Sequence, residues 1–204
     1  MNFKLSFLLV FIFLFHSCET VELPKPNAYL RLDFPSPIYK EIDLGTNGTT
    51  VELNTASTSL INIKNIASNN ALILKNISYP LIKAEINIEY YNLEDNNNLL
   101  KDRLKYLNDF TSIHLKKSLK SPKIQEFINE NKYIYASIIN IKGNVTSPYQ
   151  FYATDSINNL IIGILNLKSK TKYDSVLPAL DYLKTDIYHL IESIKWSAIK
   201  WTLE

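Results

Sequence analysis

Glycine and arginine are scarce in this chain, and cysteine occurs once. Four glycines in 204 residues supply no Gly-rich phosphate loop, and no G-x-S-x-G turn is present. Arg31 and Arg103 are the only arginines, so the guanidinium forks that read phosphates and base edges are poorly supplied. A formal net charge of +2 gives no reason to expect nucleic acid as a partner. Cys18 stands alone, which excludes an internal disulfide. His114 and His189 are the histidines beyond the N-terminal segment. Asp186 and His189 are three apart on a helix, a spacing that could co-ligate a metal, but no third ligand follows. A solvated helix face explains that pair. Glu85 and Glu89, four apart on a strand, stand roughly 13 Å apart. That is too far for a glycosidase pair. No catalytic, cofactor or metal residue is assigned, and the reading is non-enzymatic.

What is present begins with an address. Residues 1–17 read MNFKLSFLLVFIFLFHS. Lys4 precedes an apolar run, Leu5 to Phe15, that suits a signal peptide and falls short of the roughly 20 residues of a spanning helix. Ser17 is small and Cys18 follows it, as in a lipoprotein whose cysteine is acylated and becomes the new N-terminus. Phe15 and His16 depart from the usual lipobox. An ordinary signal with an incidental cysteine and an uncleaved anchor are the alternatives. Residues 18–28 then form the lipidated cysteine and a Pro-containing tether.

Apolar residues make up 46% of the chain, enough for one domain over 29–204. Alternation predicts strands at 29–35 and 81–91, with 39–44 as a segment that can pair near the first. Apolar and β-forming runs predict further strands at 133–141, 150–154 and 160–167, the first and last of them central. Residues 49–78 suggest two or three more. Leu100, Leu104, Leu107, Thr111 and His114 predict a helix over about 99–118, capped from 95–98. His114 reads as a boundary histidine with a satisfied hydrogen bond. Ser121-Pro122 ends this helix and opens a short turn through Phe127. Asn158-Asn159 reads as a hairpin turn. Leu180, Leu183, Ile187, Leu190, Ile191 and Ile194 predict a second helix over about 175–196, capped by Ser175 or Asp174 with Pro178 in its first turn.

The order of elements gives an α+β fold: a mainly antiparallel β-sheet with helices packed on it. A PsbP/Mog1-like layered sandwich has a similar order of elements. The lysines at 116, 117, 120 and 123, and at 168, 170 and 172, form basic stretches. They read as solvated surface, with an acidic partner or lipid headgroups as the alternative. Residues 143–156, GNVTSPYQFYATDS, are dense in aromatic and small polar groups. Asn144, Tyr149, Gln150, Tyr152 and Asp155 are therefore expected as a partner-contact surface. Ordinary sheet and turn residues would explain the same pattern.

Several blocks resemble the gliding-motility lipoprotein GldD family of Bacteroidota. They are Cys18, LPKPNAYLRLDFPSPIYK (23–40), YPLIKAEINIEYYNL (79–93), GNVTSPYQFYATDS (143–156) and YDSVLPALDYLKTDIYHLIESIKW (173–196). The resemblance runs in order along nearly the whole mature chain and is weak over 45–78. It implies a cell-envelope lipoprotein needed for gliding motility and for export by the type IX secretion machinery, without enzymatic activity or cofactor. Its partners would be other proteins of that machinery, and the membrane through the lipid on Cys18, with the domain facing the periplasm. A periplasmic ligand- or cell-wall-binding lipoprotein is the alternative, marked by a deep pocket lined by Tyr149, Tyr152 and other aromatics.

Overall fold

The computed structural model describes residues 33–44, 48–55, 61–62, 72–168 and 173–197. Residues 1–28, with Cys18, and positions 29–32 of the first expected strand lie outside the described residues. Residues 33–38 have no regular structure. The elements are β1 (Tyr39–Asp43), β2 (Thr50–Asn54), β3 (Ile61–Asn62), β4 (Leu72–Tyr79), β5 (Ala84–Asn92), α1 (Asn97–Leu115), β6 (Lys123–Asn129), β7 (Ile134–Asn140), β8 (Tyr149–Thr154), β9 (Asn159–Leu167) and α2 (Tyr173–Glu192). β1 and β2 pair as a ribbon. The others form one sheet in the order β3-β4-β5-β9-β8-β7-β6. Every pairing is antiparallel. The chain is thus α+β, with helices packed on an antiparallel sheet.

The layering follows from side-chain alternation. On β9, Ile161 and Leu165 join one core while Leu160, Ile162 and Ile164 join the other. A strand covered on both faces needs apolar residues at every position, which is why 160–165 reads as an almost unbroken apolar run. The larger core lies under α2 and the ribbon. There Leu183, Ile187, Leu190 and Ile191 pack with Val51, Leu53, Ile86, Ile88 and Phe151. Each such side chain contributes roughly 1.5–3 kcal/mol by leaving water. The smaller core lies under α1, where Leu107 meets Tyr91, Leu93, Leu160 and Ile162. At the sheet centre Phe151 lies over Gly163. A Cβ there would sit 1.9 Å from the ring carbon Cζ, so the ring takes the space that a side chain would need.

Helix α1 is capped as its sequence suggests: Asn96 Oδ1 accepts from Leu99 N at 3.0 Å. Two expectations change. Residues 123–127, expected to lie in a turn, belong instead to the edge strand β6 on β7. Ile124, Phe127 and Ile128 fall three and four apart and imitate a helical turn. Ile124 and Ile128 are 60% and 61% exposed while Gln125 and Phe127 are half-buried, so apolar side chains fall on both faces and no polar–apolar alternation marks the strand. Helix α2 begins at Tyr173, before Ser175, which puts Pro178 in the second turn. It ends at Glu192. Beyond it Lys195 exchanges two backbone hydrogen bonds with Thr50, each 2.9 Å, and so fastens the ribbon.

Candidate functional site

The block at 143–156 forms the β7–β8 connection, strand β8 and the start of the β8–β9 hairpin. Gly143 has φ +149°, and a Cβ on it would lie 2.7 Å from the Lys117 carbonyl oxygen. Only glycine lets the loop cross the end of α1 this closely. Asn144 Oδ1 accepts from Tyr173 N at 2.9 Å and so caps α2 from 29 residues away. Leu167 N donates to Thr146 O at 2.8 Å, and Ser147 Oγ donates to Asn166 Oδ1 at 2.6 Å. Gln150 is fully buried. Its Nε2 donates to Ser147 O and its Oε1 accepts from Thr111 Oγ1 on α1.

Asp155 organises the hairpin. One oxygen, Oδ1, accepts from Ile157 N, Asn158 N and Asn159 N at 3.0, 2.8 and 2.8 Å. The other accepts from Asn159 Nδ2 at 2.5 Å. Asn159 Oδ1 in turn accepts from Tyr90 Oη at 2.6 Å. The hairpin also receives hydrogen bonds from Leu93 N and Asp95 N, ahead of α1. A carboxylate with four donors inside a tight turn is an architectural part.

These positions narrow the expected contact surface. Tyr149, Gln150 and Asp155 are buried and cannot touch a partner directly. Asn144 is exposed and Tyr152 half-buried. Tyr149 and Tyr152 point to opposite faces of β8, one to each core, so they do not line a common pocket. The same sequence signal, aromatics among small polar residues, arises here from a loop that satisfies itself internally. The outer surface lies beside the block. On the α1 side of the sheet the pairs Ile124↔Ile139 and Ile128↔Tyr135, with Glu126↔Ser137 between them, form a strip of two apolar pairs about one polar pair next to Tyr152, outside the cluster under α1. Tyr135 and Ile139 are half-buried and the two β6 isoleucines exposed.

On the opposite face, Asp186 holds the ribbon to α2. The residue is 4% exposed. It accepts from Tyr39 Oη at 2.9 Å and from Asn54 Nδ2 at 3.0 Å. Burial pushes the Asp186 carboxyl above its usual range, while hydrogen bonds from Asn54, Tyr39 and Tyr79 pull the other way. His189 Nε2 contacts Glu52 Oε2 at 2.7 Å, and its ring stacks on Tyr39. Asp186 and His189 therefore do not form the solvated face that their spacing suggests. They bind the ribbon, and no cluster of three metal-ligating side chains occurs among the described residues. Sequence reading also missed Lys75, buried in β4, whose Nζ donates to Asp43 O. A lysine between Leu74 and Asn76 gives no sequence sign that its ammonium has a carbonyl to reach. His114 is as expected, with Nδ1 3.0 Å from Phe110 O.

No helix among the described residues is long and apolar enough to cross a membrane. No curated protein matches the chain, and no solved structure matches it. The family model described as gliding motility lipoprotein GldD matches residues 19–196. With that span covered, the chain belongs to the GldD family of gliding motility lipoproteins.

Proposed function

We propose that this protein is a cell-envelope lipoprotein, acylated at Cys18 and facing the periplasm, that serves gliding motility and type IX protein secretion through protein contacts and without catalysis. The family match carries the reading: it begins at Glu19, the residue after Cys18. The contact role is supported by the exposed strip of β6 and β7. Ile124 and Ile128 stand on the outermost strand of the sheet as described, and edge strands with exposed apolar side chains accept partner strands. Exposed Asn144 and half-buried Tyr152 are the members of the block at 143–156 open to such a partner.

The test is a pull-down of tagged protein from membranes, scored for motility and secretion components. Ile128→Lys, an exposed substitution, is expected to lose them while the fold persists. Recovery of the same components at wild-type yield would contradict the contact role. The alternative of a ligand- or cell-wall-binding lipoprotein has an open depression of about 460 Å³ to draw on. Gln125, Asp181, Lys184, Thr185 and Tyr188 line it. Retention of the purified protein on isolated cell wall, lost in Lys184→Glu, would favour that reading.

A further inference from the structure

Three segments bring five lysines to one end of the molecule. Leu119 N donates to Lys142 O at 2.8 Å, Ser118 bridges to Gly143, and Lys123 pairs with Asn140. The end of α1, the start of β6 and the β7–β8 loop therefore adjoin. Lys116, Lys117, Lys120, Lys123 and Lys142 are all exposed there. None has an ion-pair partner among the described residues. The sequence has no Asp or Glu from 110 to 125 or from 131 to 154. Asp109 and Glu126 flank the first stretch, Glu130 and Asp155 the second. Among these lysines Leu119 is 69% exposed, and Ile113, one turn before Lys116 and Lys117, is 62% exposed.

We propose that this end of the domain docks on the anionic headgroups of a phospholipid bilayer, with Leu119 and Ile113 entering the interface between them. Lysines supply the charge attraction, about five-fold in partitioning for each (about 1 kcal/mol). Apolar side chains set among them suit a headgroup boundary better than bulk water. The occupant follows from the tether, and here the inference rests on acylation of Cys18. Fourteen residues separate Cys18 from Asp33. Even at full extension they hold the domain within about 50 Å of the lipid. A bilayer is then always at hand. An acidic protein would have to be recruited to a surface that the membrane already meets. Docking fixes which way the β6–β7 strip faces, because the patch lies at the Lys123 end of β6.

The test uses the mature full-length protein in proteoliposomes, with lysine acetylation followed by mass spectrometry. Vesicles of phosphatidylcholine alone are compared with vesicles in which about one lipid in three is phosphatidylglycerol. The expected result is a several-fold slower modification of Lys116, Lys117, Lys120, Lys123 and Lys142 in the anionic vesicles. Lys101, Lys105 and Lys184 should keep their rates, and high salt should abolish the protection. Lys120→Glu with Leu119→Gln, both exposed positions, should remove it without changing the unfolding midpoint. Equal rates in both vesicles, or slowing of all lysines alike, overturns the proposal. The intact mass reports acylation separately. A chain without acyl groups refutes the anchor at Cys18, while the anionic-vesicle comparison still decides the patch.

Discussion

Replacing Asp155 by alanine separates the two roles that the block at 143–156 could have. A contact residue would lose function and keep stability. The geometry predicts the reverse order of events. Asp155→Ala removes the acceptor for three backbone N–H groups and one amide. Ile157 and Asn158 are open enough for water to replace the carboxylate. Asn159 is 3% exposed, so its backbone N–H and its Nδ2 group are left buried without a partner. Each such donor costs about 1–3 kcal/mol, which gives a loss of about 2–6 kcal/mol. The loss reaches further, because Asn159 Oδ1 then no longer holds Tyr90 Oη firmly. Urea unfolding followed by tryptophan fluorescence measures it. Trp196 is a suitable reporter, since its Nε1 donates to Tyr133 O across the α2 side of the fold. Ordinary surface substitutions stay within about 0.5 kcal/mol. An Asp155→Ala protein with an unchanged midpoint that nonetheless fails to support motility would refute the reasoning and make Asp155 a contact residue.

Gly163→Ala is expected to destabilise by at least about 1–3 kcal/mol, because Phe151 is fully buried over the site and cannot swing aside. Phe151→Leu in the same chain should recover part of the loss, and additive effects in a double-mutant cycle would contradict the packing account. Asn144→Ala should cost about 1 kcal/mol through loss of the α2 cap and leave the fold intact, as read by thermal unfolding. For Asp186 the sign follows from its raised carboxyl. The folded protein keeps this proton where the unfolded chain has released it, so the contribution is full below the usual carboxylate range. It is lost as pH rises through the raised value. Asp186→Asn should flatten that part of the stability–pH profile, and an unchanged slope in urea midpoints would contradict it.

Much of the fold is legible in the chain because its cores are periodic. Residues 84–92 alternate, with Ile86, Ile88 and Tyr90 inward. The stripe from Leu183 to Ile191 is helical, and Leu107 and Thr111 mark the covered face of α1. What escaped reading depends on contacts between distant residues. Edge strand β6 shows no polar–apolar alternation, because its exposed face carries Ile124 and Ile128 while Gln125 turns inward beside Phe127. Helix α2 takes its cap from Asn144, which no local pattern can indicate. Asp186 looks like a surface residue until Tyr39 and Asn54 arrive from the ribbon. Gln150 and Asp155 look like contact residues for the same reason: polar groups that serve the interior share a composition with those that serve a partner.

Acylation at Cys18 and its consequence in the cell test the central claim most directly. A strain lacking the protein is complemented with the wild-type chain or with Cys18→Ala, and colony spreading is scored beside the amount of secreted cargo. The wild type should restore both. Cys18→Ala, without its acyl anchor, should restore neither, although its domain remains folded. A deletion strain that spreads and secretes like its parent would contradict the account.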